Sequence, residues 1–199
     1  TISKKILFWY DNNKRILPWR KNTSKEQKLY FTFVSEFMLQ QTQVSTVIPY
    51  FKRFVQKIPN FKKLSKTNDQ TLMKLWEGLG YYSRARNLKK SAIMINGKFG
   101  GILPSNFEDL KSLPGVGDYT STAIMAIAFN QKFIPLDGNV ERILKRVLYL
   151  RNEKDISKEN MQISKNFFGL SERASDYAQA IMELGALVCR PTSPLCEKC

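Results

Sequence analysis

Two carboxylates and a pair of glycines carry the first chemical information in this chain. Glu36 lies in Tyr30-Phe-Thr-Phe-Val-Ser-Glu-Phe-Met-Leu-Gln-Gln-Thr-Gln43, with Phe33 and Leu39 three residues to either side on the same helical face. A carboxyl in such apolar company loses hydration, which raises its pKa and lets it keep a proton near neutrality as a general acid. Periodicity alone fits equally well a Glu36 at the polar margin of an otherwise buried helix. Asp137, in Leu136-Asp-Gly138, precedes a helix that starts near Asn139. It reads as an N-cap, a position that favours Asp, and also as a carboxylate kept ionised by helix N–H groups to face developing positive charge. The two roles are compatible. Upstream, Leu113-Pro-Gly-Val-Gly117 is a short hairpin whose Gly115 and Gly117, flanking Val116, permit a tight turn with backbone N–H groups turned outward toward a phosphate oxygen. Taken alone, the pentapeptide also fits an ordinary helix C-cap and turn.

A protonated acid paired with an ionised carboxylate is the apparatus for breaking a glycosidic bond through an oxocarbenium-like state. The charge balance narrows the glycoside. With 32 Lys+Arg against 17 Asp+Glu, the net charge of +15 favours a polyanion, and nucleic acid is the commonest. A lysine-rich solvated surface is the plain alternative. In a basic chain with a phosphate-binding hairpin the glycoside becomes a nucleoside in DNA, and reaching its C1′ requires the base to leave the stack. Gln40, Gln41, Tyr81 and Tyr82 suit the vacated space.

The chain has no histidine, which removes Ser-His-Asp chemistry, histidine general bases and histidine metal ligands together. Cys189-x6-Cys196-x2-Cys199 closes the sequence and reads as metal ligation ahead of inert thiols. No apolar run approaches the roughly 20 residues of a membrane span. Asp11, Asn12 and Asn13 follow the first apolar residues too closely for a signal peptide, so an intracellular, reducing compartment is expected.

These groups need rigid elements to hold them. Apolar residues recur at helical spacing almost throughout, and strand-like alternation is scarce, so the expected fold is all-α with two helical lobes and a cleft between them. The pattern predicts helices over 3–13, 30–41, 44–57, 69–76, 82–97, 106–112, 118–129, 139–150, 157–169 and 173–189. Pro59-Asn60, Gly100-Gly101 and Pro135 punctuate them. At 199 residues the chain can bury a sizeable core without disulfides.

Ordered blocks along the whole chain resemble those of the bacterial MutY-type adenine DNA glycosylases, in the helix-hairpin-helix superfamily that includes endonuclease III. They are Leu17-Pro-Trp-Arg20, Ser35-Glu-Phe-Met-Leu-Gln-Gln-Thr-Gln43, Val47-Ile-Pro-Tyr-Phe51, Trp76-Glu-Gly-Leu-Gly-Tyr-Tyr-Ser-Arg84, Leu113-Pro-Gly-Val-Gly117, Leu136-Asp-Gly-Asn-Val140 and Glu183-Leu-Gly-Ala-Leu-Val-Cys189. The resemblance implies a discontinuous fold. A six-helix barrel with the hairpin occupies residues 25–130, and a second lobe, ending in an iron-sulfur loop, combines residues 1–24 with 131–199.

It also implies an activity and a division of labour. The substrate is double-stranded DNA in which adenine is mispaired with 8-oxoguanine or guanine, bound by a monomer on the nucleoid of the bacterial cytoplasm. Glu36 protonates adenine at N7 and then helps to activate water. Asp137 stabilises the oxocarbenium sugar, with Tyr119 and Asn139 assisting. Arg15, Trp19, Leu39 and Gln179 match positions lining the adenine pocket, while Gln41 and Tyr81 match residues inserted into the duplex. Tyr119 stands where lyases of the superfamily carry lysine, and a phenol cannot form an imine, so the expected enzyme is a monofunctional glycosylase.

Cys189, Cys196 and Cys199 match three ligands of a [4Fe-4S] cluster; the family's fourth cysteine, five residues further on, is beyond the sequence. Without the C-terminal domain with which the family recognises 8-oxoguanine, these 199 residues are expected to discriminate the opposite base less well. The rival readings are a mismatch-thymine or oxidised-pyrimidine glycosylase on the same scaffold, and a non-catalytic DNA-binding fragment.

Overall fold

The computed structural model describes residues 1–21, 23–149 and 159–199. Their regular structure is helical, with no strand among the described residues. The elements are α1 (Ile2–Asn13), α2 (Lys25–Leu39), α3 (Val44–Lys57), α4 (Phe61–Lys66), α5 (Asp69–Trp76), α6 (Ser83–Lys98), α7 (Phe107–Lys111), α8 (Asp118–Ile127), α9 (Gly138–Val147), α10 (Glu159–Phe168) and α11 (Ala174–Leu187). Short 3-10 turns occupy Pro18–Arg20 and Cys196–Lys198.

Two differences from the sequence pattern have local causes. Helix α2 begins at Lys25 rather than Tyr30, because the Ser24 hydroxyl accepts a hydrogen bond from Gln27 N at 3.3 Å and the first turn is polar, so it shows no apolar period. Helix α4 was not expected at all. It starts where Asn60 Oδ1 caps Lys63 N at 2.8 Å, at the residues that read as loop punctuation. The expected end of α9 at Leu150 and the expected start of α10 at Ser157 lie outside the described residues.

The chain divides into two compact units, one of residues Ile16–Ile124 and one of Thr1–Arg15 with Met125–Cys199. In the first, α2 is the central element. Every residue from Leu29 to Met38 is buried, the signature of a helix enclosed on all sides rather than one with a solvated face. Its aromatics interlock with their neighbours: Phe31 meets Phe51 edge-on at 5.3 Å, Tyr30 meets Phe61 at 5.0 Å, and Phe33 meets Phe37 at 4.9 Å. Each such ring contributes about 1.5–3 kcal/mol by leaving water. The Tyr30 hydroxyl donates to the Ile58 carbonyl at 2.6 Å, and burial pushes its pKa well above the ordinary phenol value.

The second unit has its own core, built where α1 and α9 pack against α11. Ile6, Leu7 and Tyr10 of α1 meet Val140, Ile143 and Leu144 of α9 and Tyr177, Ala180 and Ile181 of α11. At its edge Arg173 holds Asp11 through both terminal nitrogens, at 2.9 and 2.7 Å, and also Asp176 at 2.7 Å.

Candidate functional site

Glu36 sits in the middle of the enclosed stretch of α2 with 5% of its surface exposed. The alternative of a polar helix margin is therefore ruled out. One turn further on, Leu39 ends the helix half-buried, and Trp19, on the Pro18–Arg20 turn, packs edge-on against Phe51 at 5.3 Å.

The hairpin joins α7 to α8 and is anchored from behind. Ser91 Oγ donates to the Pro114 carbonyl at 2.8 Å, and Gln40 Nε2 donates to the Gly115 carbonyl at 3.3 Å. Gln40 is thus turned toward the hairpin, whereas Gln41, Tyr81 and Tyr82 are exposed.

The two glycines have different reasons. Gly115 has φ of 80°, and a β-carbon there would lie 2.8 Å from Asn87 Cβ and 3.0 Å from Phe37 Cε1. Gly117 has open space where its β-carbon would be, so the tight turn requires only Gly115. Its carbonyl accepts the first bond of α8, from Ser121 N at 2.9 Å, and Tyr119 lies half-buried in that first turn.

In the other unit Asp137 is the N-cap of α9. Its Oδ1 accepts from Asn139 N at 2.9 Å and Val140 N at 2.8 Å, and its Oδ2 accepts from the Asn139 side-chain amide at 2.9 Å. Asn139 is itself oriented: its Oδ1 accepts from Arg142 Nη2 at 2.8 Å. The Arg142 guanidinium also donates to the carbonyls of Gly185 at 2.8 Å and Cys189 at 2.8 Å. Arg15 is engaged by Glu183, through its backbone N at 3.1 Å and Nε at 3.2 Å, and Glu183 is fully buried. Gln179, buried on α11, donates its amide to the Ser175 carbonyl at 3.0 Å.

Cys189 is half-buried, Cys196 and Cys199 are exposed, and all three thiols are free. Arg146 Nη1 reaches Cys189 Sγ at 3.5 Å and also donates to the Arg190 carbonyl at 2.7 Å. Among the described residues, however, no three metal-ligating side chains come together, so the expected ligand set is not assembled. No helix among them is long and apolar enough to cross a membrane.

Three residues that hold these groups, each within its own unit, were not marked by the sequence pattern. Gly185 gave a usable signal, since glycine inside a helix is unfavourable unless another backbone comes close. Its missing β-carbon would fall 2.5 Å from Asn139 Cβ. Arg142 and Arg84 gave none, because an arginine on a basic helix looks like any solvated cation.

The hairpin, the buried acid and the capped aspartate can be set beside known proteins. A model of the HhH-GPD superfamily of base excision DNA repair proteins matches residues 34–167. The adenine DNA glycosylases of rat and human are 44% and 43% identical over 98% of this chain, which spans 39% and 37% of their lengths. That of Buchnera aphidicola from Schizaphis graminum is 39% identical over 99% of this chain, here 56% of the relative. The chain thus spans roughly two-fifths to just over half of these curated relatives. Among solved structures, a thermostable thymine-DNA glycosylase superposes with a TM-score of 0.85 at 27% identity, covering 99% of this chain and 90% of its own. An endonuclease III trapped on DNA shares the fold, with a TM-score of 0.80 at 22% identity, over 100% of this chain and 89% of its own. The chain belongs to the HhH-GPD superfamily of base excision DNA repair proteins.

Proposed function

We propose that this chain hydrolyses the N-glycosidic bond of adenine mispaired with 8-oxoguanine or guanine in double-stranded DNA. The observation that carries the reading is the contrast between its two carboxyl groups. Glu36 is buried in the enclosed stretch of α2, whereas Asp137 accepts three hydrogen bonds at a helix N-terminus. Identity of 36–44% to curated adenine DNA glycosylases supports adenine as the base.

Glu36 gives its proton to N7 of the extruded adenine, which turns the base into a neutral leaving group as the C1′–N9 bond breaks. Asp137 stabilises the positive charge that develops on the sugar, and Asn139 keeps its carboxylate aimed. Glu36, now ionised, takes a proton from the attacking water. Tyr119 assists at the sugar and supplies no amine, so the strand is not cleaved through an imine. Leu39, Trp19, Arg15 and Gln179 contact the extruded adenine, and the hairpin from Gly115 to Gly117 binds the backbone. The protein acts as a monomer on chromosomal DNA in the cytoplasm. The [4Fe-4S] reading of Cys189, Cys196 and Cys199 is a separate proposal that no step uses, and iron and acid-labile sulfide analysis decides it.

Single-turnover base release tests the assignment, with wild type and Glu36→Gln on duplexes containing A·8-oxoguanine, A·G or T·G. Wild type releases adenine, and Glu36→Gln slows release by about 10²–10⁴-fold, the usual worth of a general acid. Thymine release from T·G would instead favour the reading raised by the likeness to the thymine-DNA glycosylase. A high-yield adduct trapped by borohydride would overturn the monofunctional assignment.

A further inference from the structure

Two residues other than glycine, Gln41 with φ of 54° and Tyr81 with φ of 47°, hold left-handed backbone in the unit of residues Ile16–Ile124, and both are exposed. Side chains with a β-carbon disfavour that conformation, and it persists where the surroundings enforce it. One buried side chain does so for both. From the first turn of α6, Arg84 Nη1 donates to the carbonyls of Met38 at 2.8 Å and Gln40, and to Thr42 Oγ1 at 3.0 Å. Its Nη2 donates to the carbonyls of Leu79 at 3.0 Å and Gly80 at 3.1 Å. The guanidinium carbon also lies 5.3 Å from the Tyr81 ring and 5.6 Å from that of Trp76.

A single planar cation therefore closes the end of α2, whose last carbonyls lack helical partners, and the turn after α5. Each turn alone is strained. Joined through Arg84, they present a polar amide and an aromatic ring, the pair of surfaces needed to hydrogen-bond and stack on bases where a duplex is opened.

We propose that Arg84 is a positioning residue that locks Gln41 and Tyr81 into one rigid prong for entering duplex DNA. This rests on the DNA-glycosylase reading, and Arg84 touches no reacting atom. Lysine cannot replace it, because an ammonium has no fork with which to reach both turns at once.

The test is a cycle of Arg84→Lys against the pair Gln41→Ala and Tyr81→Ala, using the full chain. Insertion is read as the fluorescence rise of 2-aminopurine placed beside an A·G mispair, and overall binding by anisotropy on an undamaged duplex. Arg84→Lys should cut the insertion signal by about tenfold, within the range for coupled contacts, and leave undamaged-duplex affinity within about twofold. In the Gln41→Ala, Tyr81→Ala background it should add nothing further. Independent, multiplying effects overturn the proposal, as does an unchanged signal. If circular dichroism shows Arg84→Lys unfolded, Thr42→Val, which removes one acceptor of the guanidinium, takes its place in the cycle, where the same outcomes support or overturn the prong. A wild type that shows the fluorescence rise without releasing adenine would refute the enzymatic reading and leave the prong intact. No rise with wild type would refute the prong.

Discussion

The α-carbon of Gly185 in α11 faces Asn139 in α9 so closely that a β-carbon would lie 2.5 Å from Asn139 Cβ and 3.0 Å from its carbonyl oxygen. In an open helix, glycine to alanine gains about 1 kcal/mol. Here the sign reverses, because neither the Asn139 Cβ nor its main-chain carbonyl can rotate away, and overpacking of this kind costs about 1–3 kcal/mol. Gly185→Ala should lower the melting temperature. It should also slow adenine release more than the stability loss accounts for, since Asn139 is the residue displaced. Thermal melts and single-turnover rates on one preparation check both.

The capping and chemical roles of Asp137 separate by substitution. Asparagine caps a helix as well as aspartate does, whereas alanine loses about 1 kcal/mol. Asp137→Asn keeps the main-chain cap but turns an amide donor toward the Asn139 side-chain amide, so it should lower the melting temperature less than Asp137→Ala does while losing adenine release by about 10²–10³-fold, the worth of one electrostatic stabiliser. Asp137→Ala should lose both. Wild-type release from Asp137→Asn would reduce the residue to a cap.

The hairpin glycines should respond in opposite ways. Gly115→Ala meets both the left-handed penalty of about 1–2 kcal/mol and the contact with Asn87 and Phe37, and should destabilise the free protein. Gly117→Ala should change stability by less than about 0.5 kcal/mol, as at an open surface position. Its effect should show in duplex affinity, measured at one fixed salt concentration.

Acid sensitivity has an identifiable contributor. The hydrogen bonds and charge of Arg173 hold the Asp11 carboxyl below the ordinary carboxylate value. A depressed pKa in the folded state means stabilisation that is present above the unfolded pKa and is lost as pH falls through the folded one. Asp11→Asn should therefore leave the melting temperature nearly unchanged at pH 7, where an exposed pair is worth little. Its fall in melting temperature should be flatter than that of wild type below about pH 4.

By itself the sequence determined the helical class and most helix positions, because apolar period and capping residues act within a few neighbours. Helices α3 and α5 match the expected bounds, and α4 escaped because a six-residue helix carries too little period to stand out. Ordered motifs likewise marked Glu36, Asp137 and the hairpin as the residues to test. Only the tertiary structure placed Glu36 inside rather than at a polar margin, since enclosure of α2 on every side depends on what packs around it. The same is true of Gly185 against Asn139 and of Arg142 reaching the Cys189 carbonyl across 47 positions of chain. Arg84 belongs with them. Its role comes from carbonyls that meet it only after the chain has folded back, and no local pattern encodes a contact whose two halves lie far apart in sequence.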